Sequence, residues 1–187
     1  MSVTEHLLVF ISMILSLGLA DLLTSVHRLV HARKRVRFDW LPVAWAAFIF
    51  LLIVQYWWSS YTATQAEVWQ NFFGFAFLLL SPVVLYLAAA SVLPDVEAEG
   101  LVDMRAHYFE HRTWFFLLGV LLVCLIVATA VLRGHPFLGP GRIFHAAFLL
   151  ISITLAWTAN RRVHAAVAAF AIGLLVLFIV SNTLRIG

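Results

Sequence analysis

Long apolar stretches separated by short polar segments run along the whole chain. A helix needs about 20 residues to cross a bilayer core of ~30 Å, and six stretches approach or exceed that length. Lipid offers no partners for backbone N–H and C=O groups, so continuous apolar runs favour helices over the alternating strands of a barrel. The pattern predicts an all-α, polytopic membrane helix bundle, a single transmembrane domain over residues 1–187, with six transmembrane helices at 7–29, 40–59, 72–93, 114–132, 143–158 and 163–184.

The composition agrees with this pattern. Of the 187 residues, 64% are hydrophobic and 11% are charged, a balance that a soluble domain of this length could not hide from water. No basic residue precedes the first apolar stretch, which is also long, so we expect a retained helix and not a signal peptide. Cys124 is the only cysteine, which excludes an internal disulfide and a cysteine-based metal site.

Basic residues fall mostly on one side of the predicted membrane. Lys and Arg in short loops resist translocation, so the side that carries more of them is expected to be cytoplasmic. Nine lie in or beside the loops 30–39, 94–113 and 159–162, and three lie on the other side, namely Arg133, Arg142 and Arg185. The bias predicts that both termini are outside. Membrane lipids are the expected partners of the basic first loop, and nothing in the net charge of +3 points to nucleic-acid binding.

Two segments carry a family resemblance. They are LGLADLLTSVHRLVHARKRVRFDWLPVAWAAFIFLLIVQYWW, which covers the end of the first predicted helix and most of the second, and HYFEHRTWFF, at the start of the fourth. They resemble an uncharacterised family of small bacterial six-span inner-membrane proteins. The resemblance implies a multi-pass protein of the cell inner membrane and supplies no activity, so no functional residue is carried over.

Asp21 is the one acidic residue inside a predicted span. A carboxylate at this depth is costly unless it is paired, protonated or hydrated, so we expect it to point into the bundle. Arg28 follows two helical turns later on the same face and is the predicted partner. A structural ion pair and a proton or cation site both remain open, and Asp21 with Arg28 forms the candidate ion or proton site.

Histidines occur in two HxxxH pairs at the predicted inner boundary, His27 with His31 and His107 with His111. A spacing of four places both imidazoles of a pair on one helix face, as a shared metal requires. Glu110 adds a carboxylate. Paired boxes of this kind resemble the membrane di-iron hydroxylases and desaturases, although the chain has no HxxHH box. A metal ion shared by the converging pairs is one hypothesis, interfacial histidines without metal are the other, and no other cofactor is indicated.

Small residues recur at i, i+4 spacing in two predicted helices, where they would let helix backbones approach closely. The packing candidates are Ser12, Ser16, Ala20 and Thr24 in the first helix and Ala165, Ala169 and Gly173 in the last. Contact between helices of one chain and the seam of a homodimer both remain open. Residues 134–141, with two prolines, predict a turn-rich external loop.

These features favour a small non-enzymatic membrane protein that moves or senses an ion or a small solute, as a homodimer or another small homo-oligomer. Two alternatives stay open. One is a metal-dependent membrane enzyme that uses the two histidine pairs on the cytoplasmic face. The other is a structural accessory subunit of a larger membrane complex.

Alkaline phosphatase fused after Gly187 tests the orientation. Because nine of twelve basic residues lie on the other side, we expect this fusion to be external and active. A matched fusion after Arg35, in the first loop, should be cytoplasmic and inactive. An inactive, cytoplasmic reporter after Gly187 would mean an odd number of spans or the reverse orientation.

Overall fold

The structure, a computed structural model, describes residues 3–96, 100–139 and 142–183. The α-helices of these residues are α1 (Val3–His31), α2 (Trp40–Ala63), α3 (Phe72–Val92), α4 (Met104–Leu132), α5 (Arg142–Trp157) and α6 (Arg161–Thr183). Two short strands, β1 (Val36–Arg37) and β2 (Val102–Asp103), pair in parallel and join the α1–α2 loop to the α3–α4 loop. Arg185 and the last residue of the sixth predicted span lie outside the described residues.

Within the described residues, five helices are long and apolar enough to cross a membrane, namely α1, α2, α3, α4 and α6. Helix α5 is also apolar but has 16 residues, or about 24 Å at 1.5 Å per residue, against a bilayer core of ~30 Å. The all-helical class is therefore confirmed, and the helices are those of an integral membrane protein. A sixth span and the sidedness of the termini stay predictions.

Helices α2 to α6 form a closed ring. Helix α2 packs against α3, α3 against α4, α4 against α5, α5 against α6, and α6 returns to α2. Helix α1 packs on the outside of the ring, against α2 and α3. The ring has two ends: the α5–α6 end also carries the α1–α2 and α3–α4 loops, and the α4–α5 end also carries the α2–α3 loop.

Three helices begin at a polar side chain that caps them. Asp39, Asn71 and Asp103 accept hydrogen bonds of 2.9 to 3.0 Å from first-turn N–H groups of α2, α3 and α4. Such caps satisfy donors that have no partner inside the helix. The backbone donors of Ala106 and Arg105 also hold the pKa of Asp103 below its ordinary value, because they stabilise the carboxylate.

Helix α4 begins ten residues before the predicted span at Trp114. The first turns of the helix therefore occupy part of the predicted 94–113 loop. Met104 and Tyr108, in these turns, are buried against the rest of the bundle. These first turns have polar residues on their exposed face and therefore form no continuous apolar run. Hydropathy does not detect such a segment, since only one face of it needs to be apolar.

Helix α1 turns a different face to the bundle than its stripe of small residues predicts. Ser16, Ala20 and Thr24 are exposed, and Ser12 alone contacts a neighbour, accepting a hydrogen bond from Nε1 of Trp57 at 3.0 Å. The buried positions are Leu7, Ile11, Leu15, Gly18, Leu22 and Leu29. Beyond Ser12, the prediction of contact within the chain through this stripe is wrong, because large side chains fill most of the interface.

The close approach of α1 to α3 depends on Gly18. A Cβ atom at this position would lie 3.2 Å from the Cα atom of Tyr86 and 3.7 Å from Cβ of Ala89. The first of these distances is tighter than ordinary van der Waals contact, so a larger side chain would push α3 away. Gly18 therefore permits the close approach between helices that was predicted for the stripe of small residues.

In helix α6, as in α1, most of the predicted stripe of small residues lies off the buried face. Ala165 is half-buried, Ala169 and Gly173 are exposed, and no atom lies within 4 Å of a Cβ atom built on Gly173. The buried face is His164, Ala168, Ala171 and Leu175. Adjacent residues of a helix differ by about 100° in direction, so a shift of one position moves the stripe off the interface. Contact within the chain through Ala169 and Gly173 is wrong, and a homodimer seam stays a prediction.

Gly18→Leu and Gly173→Leu form a matched pair of variants, since both remove a helical glycine. Gly18→Leu should destabilise the protein by about 1–3 kcal/mol through overpacking against α3. Gly173→Leu should leave the stability of the single folded chain equal or higher, because the new side chain meets open space within the chain and the change removes a poor helix former. Thermal melting and oligomeric state in detergent check both. A Gly173→Leu variant that dissociates would show that this face is a homodimer seam.

Candidate functional site

A cavity of about 590 Å³ lies inside the ring of α2 to α6. Its lining runs along α2 from Trp45 to Ser60, about 22 Å at 1.5 Å per residue. The volume falls within the ~300–1,000 Å³ of pockets that hold one small molecule. The space is therefore large enough for a ligand and extends through most of the apolar part of the bundle.

Most of the cavity wall is apolar. Phe48 packs on Phe148 across the ring with centroids 5.6 Å apart, and Trp45 packs edge-to-face on Phe116 at 5.1 Å. Leu122 of α4 adds an aliphatic surface. No acidic side chain lines the cavity within the described residues. A molecule in this space would meet hydrocarbon and aromatic surface and no negative charge.

A tier of polar side chains lies on the last turns of α2 and the facing part of α4. Gln55, Tyr56, Ser59, Ser60 and Thr129 all line the cavity. The hydroxyls of Ser59 and Ser60 donate to the carbonyl of Tyr56 at 3.0 and 2.7 Å. Their oxygens keep lone pairs that can accept a further hydrogen bond, so this tier can orient a polar group of a ligand.

The α4–α5 end of the cavity is basic. Arg133, His135, Arg142 and His145 line it. Nε and Nη2 of Arg142 donate to the carbonyl of Pro136 at 3.4 and 3.2 Å. The Arg133 guanidinium is half-buried and forms no ion pair with a described residue, and burial lowers its pKa. The predicted external loop thus borders the cavity, which is lined by its residues His135, Pro136 and Gly139.

The α5–α6 end of the bundle is closed by buried polar contacts. His164 is fully buried; Oη of Tyr108 lies 2.6 Å from its Nδ1, and its Nε2 lies 2.9 Å from the carbonyl of Thr158. A carbonyl can only accept, so Nε2 carries a hydrogen, and in a neutral imidazole, the form that full burial favours, Nδ1 then accepts from the tyrosine hydroxyl. This assignment makes His164 a neutral linker between α4, α6 and the α5–α6 connection.

A second set of contacts closes the same end. Asp39 is 6% exposed, and its Oδ2 accepts from Nη2 of Arg161 at 3.2 Å. The Arg112 guanidinium donates to the carbonyls of Thr158, at 3.2 Å, and Phe109. Together these bonds tie the starts of α2, α4 and α6 to one another, and Asp39, Arg112 and Arg161 do not line the cavity.

The structure does not join Asp21 to Arg28. Asp21 is half-buried on α1, Arg28 is exposed, and no hydrogen bond or ion pair links them. Seven residues advance a helix by about 10.5 Å, which is a long reach for the two side chains. Because α1 lies outside the ring, Asp21 does not line the cavity either. A role in ion or proton binding stays a prediction with no support from the cavity.

The two histidine pairs do not meet. The rings of His27 and His31 are 5.4 Å apart and those of His107 and His111 are 4.4 Å apart. In the part of the chain that the structure describes, no three His, Cys, Asp or Glu side chains gather closely enough to hold a metal ion, so Glu110 does not complete a site. The convergence of the pairs is wrong, since α1 packs on α2 and α3 whereas the second pair is on α4.

Sequence reasoning missed the cavity, although α2 carries a signal for it. Gln55 with Ser59, and Tyr56 with Ser60, are i, i+4 pairs in an otherwise apolar helix. Such pairs share a helix face, and polar groups at this depth turn towards the bundle. Combined with basic residues at both ends of the α4–α5 loop, this face indicates a polar lining.

Comparisons of the chain with protein-family models, with curated proteins and with solved structures found no match. The resemblance to a bacterial six-span family therefore stays a prediction. The function of the site rests on its geometry alone.

Tyr108→Phe tests the closed end of the bundle. The change removes the hydroxyl and leaves Nδ1 of the buried His164 without a donor, which should cost about 1–3 kcal/mol. Thermal unfolding in detergent should show a lower melting temperature. Tyr61→Phe is the matched control, because that ring is 64% exposed. Equal melting temperatures for the two variants would contradict the assigned hydrogen bond.

Proposed function

We propose that this integral membrane protein binds one small apolar or amphipathic molecule in the cavity and moves or senses it. The observation that carries the proposal is the cavity of about 590 Å³ with apolar walls inside the helix ring. Burying apolar surface in such a space contributes roughly 25 cal/mol per Å². A hydrated cation fits poorly, because the described lining has no acidic side chain.

The order of the lining favours one orientation of the ligand. Aromatic and aliphatic side chains surround the part near Trp45, and the hydroxyls of Ser59 and Ser60 lie towards the α4–α5 end. The apolar part of the ligand therefore lies deep, and its polar part lies near the hydroxyl tier. A few polar groups in an apolar pocket are the usual source of orientation in small-molecule sites.

The ligand enters from the α4–α5 end or laterally from lipid, because polar contacts close the α5–α6 end. On the nine-to-three distribution of basic residues, we assign the open end to the outer face of a bacterial inner membrane. Movement across the membrane would require opening of the Asp39–Arg161 and Tyr108–His164 contacts. Sensing would not, so ligand flux into liposomes separates the two modes.

The homo-oligomer predicted from the sequence remains part of the proposal. Its support is the exposed stripe of Ala169 and Gly173, which leaves a small-residue surface open on α6. A role as an accessory subunit would use the same exposed faces.

Leu122→Trp tests whether the cavity is the binding site. Leu122 lines the cavity and is 5% exposed, so an indole there fills part of the space. Leu121→Trp is the matched control, because Leu121 is 46% exposed and does not line the cavity. The full chain is titrated with 1-hexadecanol and released from detergent in a native mass spectrometer. The bound molecules are counted at each concentration, which gives the affinity. We expect Leu122→Trp to lower the affinity at least about tenfold, or ~1.4 kcal/mol, and Leu121→Trp to leave it unchanged.

Equal binding to the two tryptophan variants, with both folded by circular dichroism, would contradict the proposal. Because overpacking can cost about 1–3 kcal/mol, Ile126→Trp serves as a second blocking variant on the same wall. If both blocking variants bind 1-hexadecanol like the unsubstituted chain, the cavity does not hold the ligand.

A further inference from the structure

We infer that the ligand of this cavity is a single-tailed amphiphile with an anionic head group, bound by Arg133 and Arg142 at the α4–α5 end. The inference rests on the proposed function and adds the chemical class of the ligand. The head group carries a carboxylate or phosphate, and the tail fills the apolar part of the cavity.

The two arginines border the same end of the cavity. Arg133 follows the last residue of α4, Arg142 is the first residue of α5, and both line the same end of the cavity. The carbonyl of Pro136 accepts hydrogen bonds from Nε and Nη2 of Arg142, which orients the guanidinium and leaves its Nη1 without a hydrogen bond to a described residue. Arginine forks match the oxygens of carboxylate and phosphate, often through two parallel hydrogen bonds.

The charges that line this end of the cavity are unbalanced among the described residues. Arg133 is half-buried and has no ion pair there, and no acidic side chain lines the cavity. Glu5, in the first turn of α1, and Glu67, on the α2–α3 loop, lie at the same end, but both are exposed and neither belongs to the lining. A partly desolvated cation is stabilised by an opposite charge more strongly than it would be in water. An anionic head group supplies that charge.

The rest of the cavity wall fits two simpler ligands, a free anion and a plain hydrocarbon, less well. A free anion at the arginines would leave the aromatic part around Phe48 and Phe116 empty, and a plain hydrocarbon would leave Arg133 without an anion. A head group at the arginines, polar atoms at the hydroxyl tier and a tail beyond them would satisfy all three parts of the wall. His135 and His145 add imidazole groups beside the head group.

Four probes with the same sixteen-carbon tail test the head group. They are hexadecanoate, hexadecyl phosphate, 1-hexadecanol and hexadecyltrimethylammonium, each titrated into the purified full chain and counted by native mass spectrometry. Both anions should bind at least about tenfold more tightly than 1-hexadecanol, which corresponds to ~1.4 kcal/mol, and the cation should bind most weakly. The tighter of the two anions identifies whether the natural head is a carboxylate or a phosphate, and either result supports the inference.

Arginine variants test the residues. Arg133→Gln should lower the affinity for hexadecanoate about tenfold and leave that for 1-hexadecanol unchanged, and Arg133→Lys should lose less because it keeps the charge. Arg105→Gln is the control, since this exposed arginine lies at the other end of α4. Arg142→Gln repeats the test from the other side of the head group if Arg133→Gln does not fold.

Three outcomes would overturn the inference. The four probes could bind alike while Leu122→Trp weakens all of them, in which case the cavity binds tails without regard to charge and the proposed function stands alone. Inorganic phosphate could displace hexadecanoate as well as hexadecyl phosphate does, which would show an anion site without a tail. Arg133→Gln and Arg105→Gln could have the same effect, which would remove the assigned role of Arg133. A Leu122→Trp variant that binds every probe normally would instead overturn the proposed function.

Discussion

The closed end of the bundle depends on the buried carboxylate of Asp39. It accepts the N–H of Leu41 at 3.0 Å and the guanidinium of Arg161 at 3.2 Å, so it caps α2 and holds the start of α6 at once. A carboxylate that is 6% exposed would be costly without both partners. The bond between Asp39 and Arg161 holds α2 beside α6. This contact closes the ring, because α3, α4 and α5 already link α2 to α6 on the other side. The interior that this closure creates is the cavity.

The cavity contrasts with tight packing elsewhere in the bundle. A Cβ atom on Gly119 would lie 2.8 Å from Oγ of Ser152, so α4 and α5 touch closely beside the cavity, and a Cβ atom on Gly18 would lie 3.2 Å from the Cα atom of Tyr86 on α3. Protein interiors are normally close-packed, with few voids larger than a water molecule. A space of about 590 Å³ between helices that pack this well is therefore a feature of the architecture. The proposed ligand would cover its walls.

Hydropathy alone was enough to predict six helices, although not the first ten residues of α4, since lipid forces long apolar runs to satisfy their own hydrogen bonds. It could not predict which face of each helix points inward. Helix α6 has small residues on adjacent faces, and the choice between Ala168 and Ala169 depends on tertiary contacts. Arg133 and Arg142 were visible only as topology signals, because their convergence on a cavity depends on how α4 and α5 pack. Gln55 and Ser59 carried a readable signal, a polar i, i+4 pair in an apolar helix.

The polar contacts at the closed end decide how a ligand could act on the protein. Opening that end would break the Asp39–Arg161 and Tyr108–His164 hydrogen bonds, each worth about 1–3 kcal/mol when its partners stay buried. A ligand of micromolar affinity gains about 8 kcal/mol on binding, yet only the difference between its affinities for the two states can shift the equilibrium. A ligand whose head group stays at Arg133 and Arg142 makes its contacts far from the closed end. Such a ligand would stabilise the present state, which is the behaviour of a sensor; transport would require a ligand that binds the opened state more tightly.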